Sequence, residues 1–311
     1  MNWDFFLTEL VNGLTLGSVY ALLALGYSMV YGILKLLNFA HGDVYMVGAF
    51  IGYGVETAFG GPLAASIPLV PLLVLMFLAA MLGAGLLGVV IERFAYRRLR
   101  NAPRIAPLIT ALGVSFFLES SALLLFGAQF RSLDTFDLRG GQLISRGIHI
   151  TPGVYVAAAR IVVFVGTLIL MIVLTLLVTK TQVGKAMRAT SFDREAAAMM
   201  GIDIDRVIVF TFFVGSALAG AAGVMVGLVF QQVWPYMGFT AGLKAFTAAV
   251  VGGIGNIPGA MLGGIVIGLA EAFATGYISS TFQDAIVFCI LIVVMIARPS
   301  GLLGRAAVQK V

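Results

Sequence analysis

The chain has 311 residues, 60% of them hydrophobic and only 11% charged, and its mean hydropathy is +1.06. A soluble core has no use for that much apolar surface, so the composition specifies an all-α, polytopic membrane protein and excludes an ordinary soluble enzyme. The net charge of +5 does not call for a nucleic-acid partner, because the Lys and Arg residues gather in a few loops as topology signals do.

The N-terminus carries Asp4 and Glu9 and no Lys or Arg before the first apolar run, so it lacks the basic start of a secretory signal, and the first segment is expected to stay as a span. Apolar runs long enough for a membrane helix lie at 8–33, 66–91, 106–127, 159–179, 207–230 and 282–297. Two further regions, 41–58 and 240–278, are interrupted by glycine. The second is expected to hold a short descending helix, a break near Gly252 to Pro258, and an ascending helix with Pro258 in its first turn. The total is eight or nine membrane segments in one domain covering 1–311. Gly13/Gly17, Gly48/Gly52, Gly223/Gly227, Gly259/Gly263 and Gly264/Gly268 have the spacing of close helix crossings.

Positive charge sets the orientation. Arg93, Arg97, Arg98, Arg100 and Arg104 fill one loop, Lys180, Lys185, Arg188, Arg194 and Arg206 another, and Arg298, Arg305 and Lys310 the tail, so these face the cytoplasm. The 128–158 loop mixes Arg131, Arg139 and Arg146 with Asp134 and Asp137 and reads as an external lid. The N-terminus is then external and the C-terminus cytoplasmic. The run Glu92 to Arg104 also suits anionic membrane lipid.

The stretch 180–206 is a charged island between apolar runs. Asp193 suits the cap of a short helix and Gly201 its left-handed end, with Glu195, Ala196 and Ala197 between them. A helix of about two turns is marginal alone in water, so it is expected to dock on another protein as a coupling element. A faint repeat joins 26–50 to 245–273: a Gly-rich helix, an Asn, then a small-residue helix. Broken helices in matching halves point to a transport path. Asn38, His41, Asp43 and Asn256 sit at these breaks, as helix caps or around a gate. Among mid-span ionisable residues Glu119 and Glu271 stand out, either for helix–helix bonding or for lining the path.

Catalytic and metal chemistry find no support. The nearest approach to a phosphate loop, Val183-Gly184-Lys185-Ala186, lacks both the upstream glycine and the hydroxyl residue, so any ATP is expected to be used elsewhere. His41 and the other histidine, His149, are expected on opposite faces. No Ser/His/Asp spacing stands clear of capping residues, and the single cysteine, Cys289, lies in an apolar run.

Three motifs together carry a resemblance: NGLTLGSVYALLALGYSMVYGILKLLNFAHGDVYMVGAF, GGIGNIPGAMLGG and REAAAMMGI. They resemble the permease of bacterial ABC importers for branched-chain amino acids, its H-type subunit, over nearly the whole chain. The resemblance implies a type II ABC importer-like helical fold in the bacterial inner membrane. It implies a second, homologous permease subunit, two cytoplasmic ATPase subunits that use ATP and Mg, and an external solute-binding protein. It places the ATPase-coupling surface on the 180–206 loop, with Gly184, Arg188, Asp193, Glu195, Ala196, Ala197 and Gly201, and it implies no cofactor on this chain. Permeases for urea, short amides or other amino acids look similar, and a secondary transporter working without an ATPase is the other class the residues allow.

Overall fold

A computed structural model describes residues 3–60, 68–100, 102–103, 105–133 and 147–304. Arg104, Asp134, Asp137, Arg139, Arg146, Arg305 and Lys310 lie outside the described residues, as does the middle of the 128–158 loop.

The helices follow the apolar runs. They are α1 (Trp3–Leu34), α2 (His41–Gly60), α3 (Leu69–Ile91), α4 (Ile105–Phe126), α5 (Ala158–Lys180), α6 (Gln182–Phe192), α7 (Arg194–Met199), α8 (Ile204–Phe230), α9 (Met237–Gly252), α10 (Ile257–Tyr277) and α11 (Gln283–Ala297). Seven helical stretches among the described residues are long and apolar enough to cross a membrane. With the less apolar, 20-residue α2 and the shorter α9 they match the eight or nine segments expected. Two features were not legible in the sequence. The arginine-rich loop after α3 continues the helix as a π turn (Glu92–Tyr96) and a 3-10 turn (Arg97–Leu99). Four short strands also form, β1 (Arg131–Ser132) pairing antiparallel with β4 (Gln232–Val233), and β2 (Gly147–Thr151) with β3 (Val154–Ala157).

Burial separates the helices into a centre and a ring. The apolar windows of α1 and α8 are 83% and 78% buried, whereas that of α4 is 22% and that of the helical stretch ending in α11 is 6%. The ring helices turn large apolar side chains outward, such as Leu82 and Leu86 on α3, Leu124 and Leu125 on α4, and Ile292 and Val293 on α11. Outward apolar side chains are stable only against lipid or protein.

Small residues build the centre. A Cβ on Gly17 would lie 2.8 Å from Ile265 Cα, and one on Gly268 only 2.2 Å from Gly17 N. The backbones of α1 and α10 therefore touch along Gly13, Gly17, Gly264 and Gly268. The same happens where α2 crosses α8, with Gly48 against Gly220 and Gly223 against Tyr45 and Ala49. The third set, Gly259 and Gly263, backs onto Gly252 and Ala248 of α9. In lipid, dispersion contacts rather than hydrophobic expulsion hold helices together, so such backbone proximity is what the glycines contribute.

The two ends are tied differently. At the end carrying the N-terminus, Thr151 Oγ1 donates to Asp4 Oδ1 at 2.8 Å, which fastens the β2–β3 hairpin to the start of α1. At the opposite end, Arg97 and Arg100 both pair with Asp205 at the start of α8, and Arg100 also pairs with the fully buried Glu92.

Candidate functional site

Three places collect the polar residues that a membrane bundle ordinarily excludes. The first is a cavity of about 530 Å³ whose walls come from α1, α8, α9 and α10, with Arg160 in the first turn of α5 and Gln283 at the start of α11. Glu9 and Asn12 stand on its rim, so it lies toward the end of the bundle that carries the N-terminus. Most of its wall is apolar, including Leu16, Val19, Val226, Val229 and Met237. Two chains of charge cross that wall. In one, Arg160 donates to Asn12 Oδ1, and Asn12 Nδ2 donates to Glu9 Oε2 at 3.3 Å. In the other, the Tyr20 hydroxyl donates to Glu271 Oε2 at 2.8 Å, and Lys244 Nζ donates to Glu271 Oε1 at 2.7 Å while lying 2.6 Å from Asp284 Oδ1. The Lys244 and Glu271 side chains are each only 6% exposed. A buried ion of either kind costs several kcal/mol unless it is paired, and here each has a partner from another helix.

Glu271 is the only residue of the sequence-derived path set on this wall. Lys244, Tyr20, Arg160 and Asn12 were missed. Lys244 was detectable in principle, since a single lysine inside the apolar run 237–252 is the kind of intramembrane charge that marks a function. Its proximity to Glu271 was not, because 27 residues separate them.

The second place is the pair of helix breaks. Asn38, His41 and Asp43 are all fully buried. The Tyr96 hydroxyl lies 3.1 Å from both Leu37 O and Asn38 Oδ1 and is shared between them. His41 meets Tyr27 edge-on with ring centroids 4.7 Å apart, and a Cβ on Gly26 would lie 2.2 Å from its Nε2. The Asp43 carboxylate is tucked against Gly238, and Gly42 packs directly on Gly238 and Gly242. At the second break Asn256 Oδ1 accepts from Gly259 N at 3.5 Å, as a cap does, with Pro258 in the first turn of α10. Asn256 Nδ2 donates to Leu303 O at 2.6 Å. The segment after α11 is sewn to the same loop through Leu302 N to Val251 O at 2.8 Å and Leu303 N to Gly252 O at 3.0 Å. The second break also touches α1, since Gly255 N donates to Ser28 Oγ at 2.7 Å. Glu119, half-buried on α4, does not belong to the cavity wall.

The third place is the charged island, which folds as α6 and α7 at the end opposite the cavity. Asp193 caps α7 by accepting from Ala196 N at 3.0 Å, and Gly201 closes it at φ +81, a left-handed value. Gly184 is buried in the corner with α5, where a Cβ would meet Leu177 O and Val178 O at 2.3 Å, and the exposed Arg188 reaches back to donate to Val178 O. Arg194 donates to Ile33 O at the end of α1. Partial burial and the neighbouring Arg100 lower its guanidinium from the usual value. The expectation that Ala196 and Ala197 both face a partner divides here. Ala196 is exposed, but Ala197 is buried at 4%, because α7 needs one side against α6 and α8. Outward instead stand Glu195 and the apolar Phe192, Met199 and Met200, the last three 95%, 82% and 82% exposed.

These features define a polytopic membrane permease: a helical bundle with a polar-studded cavity toward one end and an apolar helical projection at the other. Residues 9–295 match the family described as branched-chain amino acid transport system / permease component, and the chain belongs to that family. It is 42% identical over 306 residues to a high-affinity branched-chain amino acid transport system permease protein, BraD, of Pseudomonas aeruginosa, covering 98% of each chain. It is 41% identical over 308 residues to the corresponding permease protein LivH of Escherichia coli K12, covering 99% of this chain and 98% of the relative. A probable branched-chain amino acid permease of Methanocaldococcus jannaschii is 29% identical, over 92% of this chain and 89% of the relative. No solved structure matches the chain.

Proposed function

We propose that this chain is the membrane-spanning subunit of an ATP-driven importer that moves leucine, isoleucine and valine across the bacterial inner membrane. The names of the relatives support the substrate. In this reading an external solute-binding protein delivers the amino acid, a second homologous permease completes the pathway, and two cytoplasmic ATPase subunits use ATP and Mg. This chain binds no cofactor of its own. The N-terminus and the cavity face outward, and the tail and α6–α7 face the cytoplasm, as the arginine distribution favours.

The observation that carries the reading is the α6–α7 projection. Phe192 at the end of α6, Met199 at the end of α7 and Met200 just after it stand in the open, on either side of the cap that Asp193 gives α7. Such apolar exposure outside the lipid belongs in a protein interface, and Met suits an adaptable one. The test is co-purification of tagged chain with its ATPase, with substrate-stimulated hydrolysis as the second readout. Met199→Lys with Met200→Lys is expected to release the ATPase while leaving insertion unchanged. Gly201→Leu probes the same surface, because its Cβ would meet nothing within 4 Å inside the chain and the cost there is the strained φ. Ala197→Trp serves as the packing control, since it crowds a buried site. Normal ATPase retention and coupling in the double Met variant would overturn the assignment of this surface.

A further inference from the structure

The cavity at the N-terminal end joins an apolar wall to two acid–base chains, and that pairing selects for a particular kind of guest. We infer that it is a binding site for a free α-amino acid zwitterion with an apolar side chain, whose carboxylate is held by Lys244 and whose ammonium is held by Glu271. The inference rests on the importer reading and adds a stopping place for the substrate within this subunit.

Charge is balanced on the cavity wall itself. Lys244 and Glu271 both line the cavity, and their charged atoms lie 2.7 Å apart. An ammonium has three donors; Lys244 gives one to Glu271 Oε1 and is ion-paired with Asp284 Oδ1, which leaves donor capacity for a guest. Each Glu271 oxygen accepts one bond, from Tyr20 or from Lys244, and has a lone pair to spare. A fixed pair of this kind is a dipole. A zwitterion laid antiparallel to it meets opposite charge at both ends and adds no net charge to a poorly solvated place. A simple anion or cation would be drawn to one member and repelled by the other.

The rim repeats the pattern. Glu9 and Arg160 stand on opposite sides of Asn12 and again offer one charge of each sign. Between the two chains the wall is Leu16, Val19, Val226 and Val229, which suits a branched hydrocarbon. The volume of about 530 Å³ lies within the range of small-molecule pockets, about 300–1,000 Å³. About two turns further along α1 from Tyr20, Tyr27 joins the glycine crossing formed by Gly42, Gly238 and Gly242, where the backbones pack closely.

The test is protection of an introduced thiol in membranes containing the assembled transporter. On a Cys289→Ala background, Thr240→Cys puts the thiol on the cavity wall and Thr281→Cys puts it outside. L-leucine is expected to slow methanethiosulfonate labelling of Thr240→Cys by a factor of 1 + [L]/Kd, about ten-fold at nine times Kd, and to leave Thr281→Cys unaffected. Leucinamide, which lacks the carboxylate, and 4-methylpentanoate, which lacks the ammonium, are expected to protect neither. The double variant Lys244→Met with Glu271→Gln is expected to abolish protection while keeping the unliganded labelling rate. Val229→Phe, which fills the wall and leaves the ion pairs intact, is expected to weaken protection and decides the matter if the double variant does not insert. Leucine uptake driven by ATP is measured in the same membranes. Uptake without protection overturns the site and spares the importer reading. Protection without uptake keeps the site and removes the importer reading. Equal protection by 4-methylpentanoate overturns the zwitterion assignment.

Discussion

The breaks at 35–40 and 253–256 share a sequence pattern, yet they are braced by different means. The first is held from the side: Tyr96, contributed by the turn after α3, reaches Leu37 O and Asn38 Oδ1. The second is held end-on by the last described residues, with Leu302 and Leu303 pairing to Val251 and Gly252 and Asn256 clasping Leu303 O. Backbone chemistry differs as well. Lys35 takes a left-handed φ of +57 with a full side chain, whereas the second break uses Gly253 at +110 and Gly255 at +89. A matching Asn in two halves therefore does not mean a matching job. Asn38 is an interior acceptor, and Asn256 is a cap that also anchors the tail.

The contrast is sharpest where glycine is irreplaceable. A Cβ on Gly252 would fall 1.9 Å from Gly259 O, so Gly252→Leu forces α9 and α10 apart at the second break. A loss above about 4 kcal/mol, among the largest single-residue effects, is expected, read as loss of folded yield and of the denaturation midpoint in mixed micelles. Retention of wild-type yield would mean that the two helices are free to separate there.

Next in size is the side brace of the first break. Tyr96→Phe removes a buried hydroxyl and leaves Leu37 O and Asn38 Oδ1 short of a donor, at a cost of about 1–3 kcal/mol. The same variant should leave thiol labelling at the second break unchanged. A shift there would show that the two are coupled through α1, which carries Ser28, the acceptor of Gly255 N.

Asn256→Ala loses the cap of α10 and the clasp on the tail, for about 1 kcal/mol from the cap alone. Uptake and folded yield are expected to fall together. Uptake that falls far below yield, for Asn256→Ala or Asn38→Ala, would instead assign that break to a gate.

The smallest effect has the opposite sign. Lys35→Gly relieves a left-handed side chain, worth about 1–2 kcal/mol, and returns part of that as unfolded-chain entropy. A net gain of about 0.5 kcal/mol is expected in the micelle denaturation midpoint. A loss would show that the Lys35 side chain, which lies 5.7 Å from the Tyr31 ring centre, contributes more than its backbone strain costs.

Much of this architecture was legible before any coordinates. Apolar length marked the spans, and Asp193, Gly201, Asn256 and Pro258 marked helix ends, because these are local requirements met within a few residues. The glycine pairs marked most of the crossings, Gly227 being the exception because it faces Leu133 and Val233 and not a helix, and the sequence does not say which pair meets which. Three things depended on tertiary structure alone. Ala197 is buried beside an exposed Ala196, since only the seat of α7 on its neighbours separates one face of so short a helix from the other. The arginines after α3 lie on a continued helix because Asp205 and Glu92 draw Arg97 and Arg100 to them. The polar cluster on the cavity wall exists because Lys244, Glu271, Tyr20 and Asp284, from four helices, pair with one another, and long-range pairing of that kind leaves no periodic mark in a chain.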